Sequence, residues 1–316
     1  MKSKKIIIFS ILMLLGKAWS TELFIEDNVK QGHPITFVIA PVTEQLNVHF
    51  LVINNKGKEV LNIQGFNYYL FEEKINLILG LGGIPMNLEP GNYKVIARAE
   101  SLLSTSTFEN QINIVAVEYP KSVIIGNKVM ENIQYGVIDK ERLDQTKRLW
   151  DSINYFSPYI FHYSGILQLP VEGRHTSAFG FNRITKYPKG KDSESIHYGE
   201  DLAAKEGTPV ICDGDGVVLL SEDRIVTGNT LIIQHLPGVV TIFYHMNQIN
   251  VKRGDIVTKG DVVGTVGSTG YSTGPHLHWE IRFSSVPVNP MLFLTRPLID
   301  KNLIMGMINS YIKKGG

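Results

Sequence analysis

The stretch Gly274-Pro275-His276-Leu277-His278-Trp279-Glu280-Ile281-Arg282-Phe283 decides how the C-terminal half of this 316-residue chain is read. Polar His276, His278, Glu280 and Arg282 alternate with apolar Leu277, Trp279, Ile281 and Phe283. Side chains of a β-strand point to opposite faces in turn, so this period of two predicts a strand that buries its apolar face. Residues two apart share a face, with backbones roughly 6–7 Å apart. Both imidazoles can therefore reach one reaction centre. Taken alone, an HxH pair is a weak signal, more often a pair of solvent-facing histidines on an outer strand.

Upstream lies a second cluster, His197-Tyr198-Gly199-Glu200-Asp201. On a straight strand His197 and Asp201 would be roughly 13 Å apart, too far to share an ion whose ligand bonds are about 2 Å long. Gly199 lets the chain bend between them, because glycine adopts conformations closed to other residues. A bend brings imidazole and carboxylate together. Joined by a histidine of the HxH pair, they offer two nitrogens and one carboxylate oxygen. That set suits Zn²⁺ with a fourth position left for water, whereas Mg²⁺ and Ca²⁺ favour all-oxygen shells. A third cluster, Phe243-Tyr244-His245-Met246, supplies one more imidazole.

These clusters, in this order and approximate spacing, resemble the M23 family of peptidoglycan endopeptidases, the lysostaphin and LytM type. That family carries an HxxxD motif, a later Tyr/Phe-rich strand ending in histidine, and an HxH motif. Thr176-Ser177-Ala178-Phe179-Gly180 with Arg183 upstream, and GDIVTKGDVVGTVGSTGYSTGPHLHWEI from Gly254 to Ile281, extend the resemblance over about residues 170–294. The resemblance implies an antiparallel β lysostaphin-like peptidase domain. It implies one Zn²⁺ per chain, held by His197, Asp201 and His278. His276 and His245 would stand beside the water as general base or as stabilisers of the tetrahedral intermediate. The substrate it implies is the peptide part of peptidoglycan, either cross-links or stem peptides. Where the family often has a tyrosine two before the middle histidine, this chain has Phe243, with Tyr244 adjacent. Tyr187 is the tyrosine near the first ligand.

A catalytically silent module that binds cell wall or activates another hydrolase is the alternative function. Silent relatives typically lose a ligand, and none is lost here. A structural zinc domain would use four protein ligands, commonly cysteines, and Cys212 is the only cysteine. It lies in an apolar run and reads as a buried strand residue; no intrachain disulfide is possible.

The remaining chain divides by pattern. Residues 21–116 show six or so short strands separated by turns such as Asn54-Asn55-Lys56-Gly57 and Glu89-Pro90-Gly91-Asn92, which predicts an immunoglobulin-like β-sandwich. Residues 117–165 form a helical connector. Its helix is capped by Asp139, runs through Leu143, Leu149, Trp150, Ile153 and Phe156, and stops at Pro158; it is expected to pack between the domains. The peptidase-like domain spans 166–296, and 297–316 is a solvated tail with a short helix around Ile304 and Ile308. His235, at the start of a hairpin turn, reads as a surface residue. His33, His49, His162 and His175 carry no motif.

Residues 1–20 read as a signal peptide: Lys2, Lys4 and Lys5, an apolar run from Ile6 to Leu15, and cleavage after Ala18-Trp19-Ser20. An apolar run of about ten residues is half the span a bilayer requires. The expectation is export to the periplasm or cell envelope with no membrane anchor after cleavage. The segment holds four lysines and no acid, so its removal takes the formal net charge from +1 to −3. No basic field remains to attract nucleic acid.

Overall fold

A computed structural model describes residues 20–101, 104–162 and 165–313. All but the last residue of the expected signal peptide lies outside them.

The N-terminal strands form two layers joined by one long strand, Glu59–Leu70. Its first half pairs with Asn47–Ile53, with His49 opposite Gln64; its second half pairs with Ile75–Gly83, with Gly65 opposite Gly80. The strand thus leaves one layer and enters the other. Phe37 and Phe50 meet between the layers, stacked with centroids 5.1 Å apart. A Cβ at Gly80 would come within 2.4 Å of the Phe50 ring, so the glycine makes room for that aromatic. The expected β-sandwich is present.

The C-terminal half is built on an eight-stranded antiparallel sheet. Its order is Arg174–Ser177, Glu200–Ala203, Leu277–Phe283, Val239–Met246, Gly228–Leu236, Gly216–Arg224 and Ile256–Val257, with Val286–Val288 also pairing Leu277–Phe283. Both faces of its centre are buried. The apolar face of Leu277–Phe283 joins one apolar cluster that includes Val38, Leu70, Leu77, Trp279, Ile281 and Phe283. The two β-units therefore share a core. Ser284 Oγ also donates to Leu81 O at 2.7 Å across the junction.

Three α-helices lie among the described residues: α1 (Lys128–Tyr135), α2 (Lys140–Ile153) and α3 (Lys301–Lys313). Asp139 caps α2 through a bond from Arg142 N, as its position suggests. The helix rests on the C-terminal sheet, with Ile153 against Leu219, Leu220 and Ile232. Helix α3 is not a solvated tail. Ile304 and Ile308 are fully buried in the shared core, and Tyr311 meets Phe24 of the N-terminal unit edge-to-face at 5.4 Å. Each such side chain is worth about 1.5–3 kcal/mol of apolar burial. Helix α3 thus reaches from the peptidase-like half back to the sandwich.

The connector also contributes a strand. Lys121–Ile125 pairs in parallel with Asn182–Lys186, which pairs antiparallel with Ser193–Ile196. This small sheet stands beside the main one and leads directly into His197.

His235 is a correction. It is fully buried, because Gly228–Leu236 is a central strand covered on both sides. Its Nδ1 donates to Asp215 O at 2.7 Å, and its Nε2 lies 2.9 Å from Thr241 Oγ1.

Candidate metal centre

Strand register assembles the centre. Asp201 is the cross-strand partner of His278, and Tyr244 is the partner of His278 on its other side. Cross-strand partners share a face, so Asp201, His278 and Tyr244 form one row. The next row, Glu200, Trp279 and Phe243, turns to the other face. His197 reaches this row from the end of Ser193–Ile196, where the chain bends at Gly199. Gly199 does not adopt the left-handed region. Its requirement is space: a Cβ there would lie 2.4 Å from Trp279 O and 2.8 Å from His278 Nε2. The expected bend exists, but close approach, not backbone freedom, demands the glycine.

Three atoms converge. His197 Nε2 lies 2.9 Å from His278 Nδ1 and 3.0 Å from Asp201 Oδ1, and His278 Nδ1 lies 3.0 Å from Asp201 Oδ1. All three residues are buried. Among the described residues they form the one His/Cys/Asp/Glu group close enough to share an ion. Atoms so spaced can serve one ion with bonds of about 2 Å.

The outer atoms of each residue are committed elsewhere. His197 Nδ1 donates to Ala178 O at 2.9 Å. His278 Nε2 donates to Glu280 Oε2 at 3.3 Å, and Glu280 Oε1 accepts from Arg282 Nε. Asp201 Oδ2 accepts from Arg183 Nη2. These bonds fix the tautomers so that the converging nitrogens carry lone pairs, as ligating histidines require. Tyr244 stacks on His278, with centroids 5.1 Å apart.

His245 and His276 flank this triangle, their rings 4.9 Å apart. His245 Nδ1 donates to Thr269 O at 2.9 Å, and His276 Nδ1 donates to Gly274 O at 2.8 Å. Each therefore presents a free Nε2. That of His276 lies 3.7 Å from Asp201 Oδ1. His245 holds a φ of 62°, left-handed for a non-glycine residue. Such strain persists where surrounding structure fixes it, often at functional sites.

The charges here call for a cation. Burial lowers the His197 pKa to about 4 and that of His245 to about 3. Burial also disfavours a charged His278, but hydrogen bonds to Asp201 and Glu280 win and raise it to about 8. Burial likewise opposes ionisation of Asp201, yet bonds from His197 and His278 hold its carboxyl well below the usual range. A pair of imidazole nitrogens 2.9 Å apart beside a carboxylate needs positive charge between them. A proton or a metal ion meets that need, and the donor set suits zinc.

All five residues expected from the sequence are brought together. Glu280, which holds His278, was not among them. Its position two after His278 on the same strand face is the signal that could have found it.

Comparison with known proteins agrees with this geometry. Residues 195–290 match the model of Peptidase family M23. An uncharacterised metalloprotease of Buchnera aphidicola is 29% identical over 272 residues, covering 81% of this chain and 69% of that protein. The peptidoglycan DD-endopeptidase ShyA of Vibrio cholerae is 38% identical over 122 residues, covering 39% of this chain and 28% of that protein. A crystal structure of an M23 peptidase from Pseudomonas aeruginosa has the same fold, with TM-score 0.55 and 23% identity over 84% of this chain and 94% of that one. The similarity to peptidase family M23 thus lies in the C-terminal half of the chain.

Proposed function

We propose that this chain is a zinc-dependent endopeptidase that hydrolyses peptide bonds of bacterial peptidoglycan, with His197, Asp201 and His278 holding the ion. The observation that carries this reading is the buried triangle of Nε2, Oδ1 and Nδ1, with edges of 2.9–3.0 Å and every outward atom already bonded. The name of the Vibrio relative supports the substrate class.

Bound zinc would supply Lewis acidity toward a peptide carbonyl and acidify water. His245 and His276 do the proton work. Their Nδ1–H groups are held by Thr269 O and Gly274 O, so each Nε2 can accept a proton. One imidazole takes the proton of the attacking water and returns it to the leaving amine; the other, once protonated, donates to the oxyanion. Arg183 holds Asp201 in place through its far oxygen.

Peptidoglycan as substrate places the protein in the cell envelope. Export through the N-terminal signal, with Thr21 as the mature N-terminus, fits that location. No helix among the described residues is long and apolar enough to cross a membrane.

The test is digestion of purified sacculi by the zinc-loaded protein, with mass analysis of the fragments. New amino termini within the peptide part are expected. Absence of any cleavage by a preparation shown to hold zinc would overturn the enzyme reading and favour a silent binding module.

A further inference from the structure

Two segments beside the metal centre are joined to each other. One is the hairpin made by Asn182–Lys186 and Ser193–Ile196, which carries Arg183 and ends at His197. The other is the loop from Ser268 to Pro275. It fixes both flanking histidines: Thr269 O accepts from His245, and Gly274 O accepts from His276. The hydroxyls of Tyr187, in the hairpin, and Tyr271, in the loop, are hydrogen-bonded to each other.

Helix α1 backs this contact. Asn127 caps α1 through a bond from Met130 N and donates its Nδ2 to Ser272 O at 3.0 Å, which grips the loop. Glu131 Oε1 accepts from Lys189 N at 2.9 Å, which grips the hairpin. Tyr135 packs edge-to-face on Tyr187 at 5.4 Å, and its hydroxyl donates to Lys191 O. A Cβ at Gly190 would come within 2.5 Å of the Tyr135 ring, so the hairpin tip is shaped to receive it. Met130 is buried beneath, at 2% exposure. One short helix of the connector thus holds both segments, through different side chains.

From this arrangement, and resting on the endopeptidase reading above, we propose that α1 and the Tyr187–Tyr271 contact close one end of the substrate groove and select for substrate length. A peptide bound across the site meets the bridge on that side. The preferred substrate is then a peptide with only a short segment beyond the scissile bond toward the bridge, such as the end of a stem peptide. A chain that continues through a cross-link must displace the bridge. The bonds from Asn127 and Glu131 and the Tyr135 packing oppose this displacement.

The test compares two soluble peptidoglycan fragments, an uncross-linked stem peptide and a cross-linked dimer, with wild-type zinc-loaded protein and a Tyr135→Ala/Tyr271→Ala variant. The quantity read is the ratio of kcat/KM for dimer over stem peptide. It should be below one in the wild type and rise at least about tenfold in the variant, the scale of one pocket contact. Tyr271→Phe removes only the hydroxyl contact and keeps the ring; it should shift the ratio in the same direction by less. This second variant guards against misfolding of the first, which is checked by thermal melting. A ratio unchanged in both variants, with the wild type cleaving both fragments, overturns the bridge proposal and leaves the endopeptidase reading intact. A wild type that cleaves neither fragment removes that reading, and this proposal with it.

Discussion

Asp201 and His278 are opposed across two adjacent antiparallel strands, with Oδ1 and Nδ1 3.0 Å apart. Register fixes this pair. A slip of one residue on either strand would turn one of them to the apolar face that holds Trp279. The centre is thus as rigid as the middle of the sheet, and only His197 arrives from outside it.

Division of labour among the histidines follows. His278→Ala should lose both zinc and activity. His276→Ala and His245→Ala should keep most of the zinc and lose about 10²–10⁴ in rate, the scale of a lost general acid or base. His49→Ala serves as the control: it lies in the sandwich, bonded to Asn62 Oδ1. Bound zinc by elemental analysis and turnover on sacculi decide the matter. Retention of zinc by His278→Ala would refute the ligand assignment.

Glu280 holds His278 from behind and is itself paired with buried Arg282. Glu280→Gln removes the charge and leaves the guanidinium buried without its partner. Zinc affinity should fall about 10–100-fold, the usual cost of losing such support. Stability should fall by about 3–5 kcal/mol, as for other broken buried pairs. Chelator competition and urea unfolding measure the two. Unchanged affinity would show that Arg282 and Tyr244 suffice to orient the ring.

Much of the centre was legible because its residues obey strand periodicity. His276, His278 and Glu280 share a face at a spacing of two, and glycine at position 199 marked a bend. The flanking bonds were not legible. Ala178, Thr269 and Gly274 act through backbone carbonyls, so side-chain identity carries no trace of their role. His235 was misread because its neighbours resemble a hairpin edge, whereas the sheet has cover on both faces. Helix α3 looked like a tail because its partners, Phe24 among them, lie nearly three hundred residues earlier in the chain. The bridge through α1 depends on pairings between segments that no local pattern relates.

Asp213 predicts a pH effect. It is fully buried and accepts from Thr241 Oγ1 and Trp279 Nε1, and burial pushes its pKa above the ordinary 3.8. A carboxyl raised in the folded state contributes stability that is fully present below its unfolded pKa. That contribution is lost as pH rises through the folded value. Asn at this position keeps an acceptor and cannot ionise. The stability of Asp213→Asn relative to wild type should therefore increase as pH climbs from 3.8 and level off above the folded pKa. Urea unfolding of both proteins across acid to neutral pH gives the difference directly. A difference that falls with pH would contradict the assignment.

Cys212 supplies a probe of the whole core. Its thiol is fully buried and donates to Gly214 O at 2.9 Å. Burial, then the nearby charge of Asp213, pushes the thiol pKa far above its ordinary value. Only a thiolate reacts with disulfide reagents, so two barriers protect this sulfur, access and ionisation. Its neighbours in the apolar cluster include Val210, Val263 and Leu167, deep in the C-terminal half. Exposure therefore requires that half to open, and α3 and the sandwich share its core. In native buffer the protein should not react with an aromatic disulfide reagent. In urea the reactive fraction should follow the unfolding transition seen by circular dichroism. Adding zinc should shift both curves to higher urea together, because an ion bound only by the folded state stabilises it by mass action. Rapid labelling without denaturant would mean that the segment just past strand Pro209–Ile211, where Cys212 lies, opens locally, apart from the metal centre.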